Sequence, residues 1–396
     1  MKPNTNKQLL ANSRKYYLFH FFRECQFIIP VIVLFWQANG LSLTQIMLLQ
    51  SIFAIGMVLF EVPTGSYADK VGRKQSVALG AFIIFIGAVV YSLGFNFWHF
   101  VIAELVWALG TCYISGANSA LIYESLKQNK KESTFKKVWG NVQSFGYLAG
   151  GIMGAIGGFI AVYSLRLNWV LVAVAMFLMF LVALTLKEPK HIKPVEEKTY
   201  WKHIKESFKE AFTNKDLLFL LLFHSLLVAI SRISLWFYQP YLQQSGLNVV
   251  YFGLIWASFT SFAILGSKSA HKVEGWLGER WSLWMMIVFY TLACVFMSYW
   301  FILFGFMFIF LQQFIRGFSS PVLLDYTNKH LDQEKRATLI SIQSLAGGLV
   351  FAVVGPIFGW MADKYSLSST LLFTGVSFFI AFSLLMMWNR WRKRMK

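Results

Sequence analysis

Gly65-Ser66-Tyr67-Ala68-Asp69-Lys70-Val71-Gly72-Arg73-Lys74 is a short, basic stretch with two glycines, set between two long apolar runs. Runs of that length and character cross a bilayer, so the charged stretch between them belongs at a membrane face. The rest of the chain agrees. Of 396 residues, 57% are hydrophobic, 18% aromatic and only 14% charged, against about 25% charged in an ordinary soluble domain.

Hydropathy divides the chain into twelve runs, at 16–38, 44–67, 76–95, 97–123, 138–162, 167–186, 216–243, 249–270, 281–298, 300–326, 337–362 and 369–389. The sequence therefore predicts an all-α membrane protein with twelve transmembrane helices. The N-terminus is polar up to Lys15, and the apolar run that follows is too long for a cleaved signal peptide, so it is read as a retained first span. Only Ser298-Tyr299-Trp300 separates the ninth run from the tenth.

The formal charge of +18 invites a nucleic-acid reading, but its distribution excludes one. Arg166 and Lys364 fall at or near odd-numbered loops, and Arg23, Arg232 and Arg316 lie within spans. The other Lys and Arg residues, of 36 in all, occupy the termini and the even-numbered loops. Positive residues stay on the cytoplasmic side, which puts both termini there. Cys25, Cys112 and Cys294 are scattered through apolar runs, and no histidines pair at metal-ligand spacing, so neither disulfides, a metal nor a cofactor is expected.

Residues 187–215 form the longest polar stretch, with Pro189, Pro194 and eight lysines. Trp201, Ile204, Phe208, Ala211 and Phe212 recur there at helical spacing, as in a helix lying on the lipid surface. This linker divides the chain into an N-terminal half, 1–186, and a C-terminal half, 216–396, of six spans each. The halves echo each other at an offset of about 206 residues: Gly40-Leu41 with Gly246-Leu247, and Gly72-Arg73-Lys74 with Gly278-Glu279-Arg280. Pseudo-symmetric halves of this kind suit a transporter that rocks about a central site.

At this point the sequence resembles the major facilitator superfamily. Residues 65–74 match that family's signature between spans 2 and 3, Gly-x-x-x-Asp-x-x-Gly-Arg-Lys, at every specified position. Glu61-Val62-Pro63-Thr64 and the segment from Ser115-Gly116-Ala117 to Tyr123-Glu124-Ser125 look like bacterial efflux-type members. Span 5 carries Gly146, Gly150 and Gly154 of the antiporter motif, but Gly151 stands where the motif has proline. By resemblance, Gly65, Asp69, Gly72, Arg73 and Lys74 form a cytoplasmic gate. Asp69 then lies near the end of span 11, and Arg73 pairs with an acid at the end of span 4, for which Glu124 is the best candidate. Independently of the family, Gly146, Gly150, Gly154 and Gly158 make one smooth helix face suited to close helix packing.

Charges inside a bilayer are costly and mark function. Arg23, Glu24, Glu104, Arg232, Arg316 and Asp325 fall on spans 1, 4, 7 and 10, which line the central cavity in the resembled superfamily. Glu104, Ala108, Thr111, Ser115 and Asn118 share one stripe of span 4. Glu124 points elsewhere, about 200° around from Glu104, and Asp325 lies roughly opposite Arg316, so both join the gate. Span 7 adds Ser225, Arg232, Trp236, Gln239 and Gln243. The expectation is a substrate cavity of Arg23, Thr111, Ser115, Asn118, Arg232, Trp236, Gln239 and Arg316, with Glu24 or Glu104 as proton carrier.

The function these features favour is proton-coupled efflux (antiport) of a small organic molecule, by a monomer in the lipid bilayer of the bacterial cytoplasmic membrane. The alternative is an uptake permease or symporter for a small, possibly anionic solute, given the three intramembrane arginines. An enzyme is not expected, because no nucleophile motif, nucleotide loop or metal motif is present.

Overall fold

The computed structural model describes residues 5–189, 213–329 and 336–395, with side chains left out for Thr5–Lys7, for 336–342 and for Ser344. The amphipathic helix expected at 201–212 lies outside the described residues. The helices in chain order are α1 Thr5–Arg23, α2 Ile32–Ala38, α3 Leu43–Val71, α4 Arg73–Leu93, α5 Phe97–Ser115, α6 Asn118–Lys127, α7 Phe135–Ala161, α8 Leu165–Thr185, α9 Lys215–Gln244, α10 Phe252–Tyr299, α11 Phe306–Asn328, α12 Arg336–Lys364 and α13 Leu367–Arg394. Among the described residues, eleven helical segments are long and apolar enough to cross a membrane. One of these contains α10, whose 48 residues are broken at Gly278 (φ 70°, ψ 171°). At about 1.5 Å per residue, an unbroken α10 would overshoot a bilayer more than twofold.

Helices begin where a short polar side chain interrupts the apolar sequence. Asn96, Ser164, Asn214 and Ser366 each accept a backbone N–H from the first turn that follows, satisfying donors that a helix start leaves open. Ser42 and Gln45 form a reciprocal capping box at the start of α3: the Ser42 N–H donates to Gln45 Oε1 at 3.0 Å, and the Gln45 N–H to Ser42 Oγ at 3.3 Å. The positive-φ glycines are Gly40, Gly72, Gly246 and Gly278. They form two pairs at the offset of the sequence echo, so the repeat extends to backbone conformation that a side chain would strain.

Three boundaries differ from hydropathy. The charged stretch 65–74 is not a ten-residue loop: α3 runs through Val71 and α4 starts at Arg73, leaving Gly72 (φ 131°) as the joint. Gly65 is thus helical, and the chain turns at Gly72. The ninth and tenth runs are separated by residues 300–305 rather than at 298–300, because α11 starts only at Phe306. Spans 1 and 4 are each interrupted, at 24–28 and at Gly116-Ala117.

Packing resolves two compact units, Met1–Leu41 with Ile52–Val195 and Val249–Ala257, and Ser42–Ser51 with Glu196–Asn248 and Ser258–Lys396. In the first, Tyr91 stacks on Trp169 (3.9 Å, 3°) and on Phe100 (5.5 Å, 18°). Arg166 ties three inter-helix turns of that unit together. It donates to the Ser92 and Gly94 carbonyls at 2.7 and 2.8 Å and to Asn39 Oδ1 at 2.8 Å, and it lies 4.1 Å from the Phe95 ring centroid. In the second unit, buried Arg392 of α13 donates to Asp216 at the start of α9 and to Asn389.

Candidate functional site

The first span is discontinuous where its charges lie. α1 stops at Arg23, and a short 3-10 turn, Ile29–Val31, precedes α2. Pro30 contributes to the break, since it has no N–H for the preceding turn. Glu24 sits on the break, half-buried, with its Oε1 4.0 Å from both His20 Nε2 and Arg23 Nε. Those separations are ion-pair contacts outside hydrogen-bond reach, so the carboxylate is loosely held.

The span 5 glycine face seats this broken segment. A Cβ on Gly146 would collide with His20, one on Gly157 would collide with the Phe27 carbonyl oxygen, and one on Gly154 would press on Pro30 at 3.3 Å. Further along the face, a Cβ on Gly158 would meet the Val250 carbonyl oxygen and the Gly253 nitrogen, each at 2.9 Å. Unwound backbone inside a membrane protein is tolerated where protein covers it or a cavity lies against it. The glycines allow α7 to approach closely enough to cover it.

Glu104 has a different environment. It is 6% exposed and accepts a 2.5 Å hydrogen bond from the Tyr91 hydroxyl, inside the aromatic cluster of α4, α5 and α8. The stripe expected on span 4 is therefore split. Glu104 and Ala108 are buried, Thr111 and Asn118 are half-buried, and Ser115 is exposed. Ser115 and Asn118 flank the interruption at Gly116-Ala117.

The second unit encloses a cavity of about 360 Å³ between α9, α11 and the Tyr290 turn of α10. Arg232 and Arg316 both line it, and among the described residues no carboxylate does. Its polar wall is a network: the Tyr238 hydroxyl donates to Gln312 Oε1 at 2.6 Å and accepts from Gln313 Nε2 at 3.3 Å. Among the described residues, the buried Gln313 Oε1 has no hydrogen-bond partner. Arg232 lies 6.0 Å from the Phe351 ring centroid and 3.4 Å from where a Cβ on Gly348 would stand. Trp236 and Gln239 do not line the cavity, and Ser225 is buried with its hydroxyl bonded to the Leu221 carbonyl. Gln312, Gln313, Tyr238 and Tyr290 went unread in the sequence, although a Gln-Gln pair inside an apolar run was a usable signal.

At the signature joint, Arg73 meets Glu124 (Nε–Oε1, 3.6 Å) and Asp69 (2.7 Å). The sequence also gave no hint of Glu188. Its two carboxylate oxygens accept the Arg73 and Lys74 backbone N–H groups at 2.8 Å each, capping α4. Asp325 pairs instead with Lys329 on the next turn, at 2.7 Å, and that hydrogen bond raises the lysine pKa above its ordinary value. Among the described residues no cluster of ligating side chains suits a metal.

A family model for the Major Facilitator Superfamily matches residues 18–354. An uncharacterized MFS-type transporter of Bacillus subtilis strain 168, YxaM, is 24% identical over 366 residues, covering 88% of each chain. The quinolone resistance protein NorA of Staphylococcus aureus is 23% identical over 186 residues, covering 47% of this chain and 46% of NorA. Among solved structures, the nucleoside transporter NupG superimposes with a TM-score of 0.78 at 16% identity, over 96% of this chain and 99% of its own. At that identity the likeness concerns the fold. The family match spans most of the sequence and agrees with the residue 65–74 signature: this multi-pass membrane protein belongs to the Major Facilitator Superfamily and is a transporter, not an enzyme.

Proposed function

We propose that the protein moves a small organic molecule by alternating access, probing both sides of the bacterial cytoplasmic membrane, and couples its export to inward proton flow. In this reading α1 with α2, and α5 with α6, are single interrupted crossings, while α10 supplies two crossings separated at Gly278. That gives twelve spans with both termini cytoplasmic, in six-span halves 1–186 and 216–396 joined by the linker 187–215. The monomer is the working unit.

The observation that carries the coupling is Glu24 on a break in its span, loosely held by His20 and Arg23 and faced by α7 glycines. A carboxylate that no hydrogen bond pins can gain and lose a proton at little structural cost, and interrupted spans are a recurring setting for coupling-ion sites. Glu104, bonded to Tyr91 in a closed aromatic cluster, is the weaker of the two carriers. Arg23, Thr111, Ser115, Asn118, Arg232, Trp236, Gln239 and Arg316 are assigned to the substrate path. Gly65, Asp69, Gly72, Arg73, Lys74, Glu124 and Asp325 are assigned to the gate. The export direction draws support from the likeness to NorA.

The test is toxicant susceptibility in a pump-deficient bacterium carrying wild type, Glu24→Gln or Glu104→Gln at matched membrane levels. Wild type is expected to confer resistance and Glu24→Gln to abolish it. Resistance undiminished in Glu24→Gln would end the proton role of Glu24.

A second reading, uptake of a small anionic solute, is favoured by one feature: two guanidinium groups share the second unit's cavity, and no carboxylate among the described residues lines it. Wild type that gives no resistance to a broad panel, but accumulates an organic anion in an Arg232-dependent way, would replace export with this reading.

A further inference from the structure

The last helix ends in Arg390, Arg392, Lys393 and Arg394. Positive charge at a helix end is ordinary topology, and Arg392 is already engaged by Asp216 and Asn389. The other three are exposed and have a more specific setting. With Arg280, two residues beyond the Gly278 break, they rim a cleft of about 380 Å³ between α10 and α13. Leu283, Trp284, Met386 and Met387 make the apolar part of its wall, beside Asn389, and among the described residues the one acid in its lining is Glu279. Among the described residues, none of the four cations makes an ion pair, although Arg280 lies 5.6 Å from the Trp281 ring centroid.

Four unpaired cations need an anion more than they need one another, since like charges repel at close quarters. A soluble anion would use the rim and leave the apolar wall idle. An amphiphile uses both. Arginine forks bind phosphate oxygens bidentately, and basic pockets between membrane helices hold anionic headgroups. Trp284 and the methionine offer a surface along which an acyl chain can lie, at the depth where tryptophan prefers to sit.

We propose that this cleft binds an anionic phospholipid, with the headgroup phosphate held by Arg280, Arg390, Lys393 and Arg394 and an acyl chain against Trp284 and Met386. The lipid then fastens the end of α13 to α10 across the Gly278 break.

The test is native mass spectrometry of the full-length protein in detergent, titrated with dioleoyl phosphatidylglycerol and, separately, dioleoyl phosphatidylcholine. Phosphatidylglycerol is expected to be retained preferentially. Each of Arg280→Gln, Arg390→Gln and Lys393→Gln should lower its affinity about fivefold, the effect of one basic side chain near an anionic lipid. Lys136→Gln/Lys137→Gln removes two exposed charges elsewhere and should leave the preference intact. Trp284→Ser should weaken binding with no change in charge. Equal loss in the Lys136/Lys137 variant would reduce the effect to general surface charge and overturn the site. Displacement by inorganic phosphate, or undiminished binding in Trp284→Ser, would overturn the lipid assignment. The lysine and arginine changes are at exposed residues and Trp284 is half-buried, so size-exclusion behaviour is read for every variant to separate misfolding from lost binding, and the wild-type lipid and phosphate titrations decide the assignment independently.

Discussion

Asp363 accepts two hydrogen bonds from Thr44, one from its backbone N–H at 2.8 Å and one from its hydroxyl at 2.5 Å. A third, at 2.9 Å, comes from the Leu43 N–H. A side chain 319 residues away in sequence from Thr44 thus caps the start of α3, alongside the local Ser42–Gln45 box. Gly359, one turn before Asp363, makes the approach possible: a Cβ there would stand 2.8 Å from the Leu43 carbonyl oxygen.

This clasp joins the start of span 2 to the end of span 11, and the alternating-access reading proposed above predicts that it opens during transport. Thr44→Cys/Asp363→Cys, joined by a short bifunctional thiol reagent with a reducible link, is expected to stop transport and recover on reduction. The native thiols give little background, since Cys25, Cys112 and Cys294 are buried. Full transport by the cross-linked protein would mean that the clasp is a static cap. Asp363→Ala alone removes a cap, worth about 0.5–2 kcal/mol, so a small fall in thermal stability should accompany it in either case.

The glycine face of α7 makes a graded prediction. Gly157→Ala drives a methyl group into the Phe27 carbonyl, with backbone rather than a flexible side chain in the way. Overpacking of this kind costs about 1–3 kcal/mol or displaces the helix, and transport is expected to fall severely. Gly140→Ala, on the same helix, has open space around the new Cβ and should keep wild-type transport and expression. Comparable damage from both would show that glycine content, not the contact with the broken span, governs α7.

The long-range order of the chain was legible because hydropathy and charge act over whole spans. The signature stretch and the 206-residue echo reappear as positive-φ joints and helix boundaries. What stayed hidden is local backbone. A hydropathy window averages across residues 24–28 and Gly116-Ala117, so it reads two interrupted spans as continuous. The glycine stripe was visible, but not that it seats the Phe27 turn. Glu188, Arg166 and Asp363 each serve a distant partner, and nothing in their own neighbourhoods announces it. Helical phase also misled on span 4. Glu104 shares a stripe with Thr111 and Ser115 on paper, yet its face turns into the aromatic cluster, because Tyr91 offers the buried carboxyl a donor.

That pairing separates the two acids experimentally. Glu104→Gln keeps a side-chain oxygen to accept from the Tyr91 hydroxyl, so transport and its pH dependence should stay close to wild type. Glu104→Leu instead leaves that hydroxyl buried without its acceptor, at a cost of about 1–3 kcal/mol, and should lower thermal stability. Tyr91→Phe/Glu104→Leu removes both members of this hydrogen bond and should recover part of that loss, because the hydroxyl is no longer left buried without its acceptor. Glu24→Gln should behave in the opposite sense, leaving stability near wild type while flattening the dependence of transport on the proton gradient. The measurements are thermal unfolding of purified protein and substrate flux in proteoliposomes with an imposed pH difference. Loss of proton dependence in Glu104→Gln with undisturbed stability would move the coupling role from Glu24 to Glu104, because a purely structural pair changes stability without changing how flux responds to the gradient.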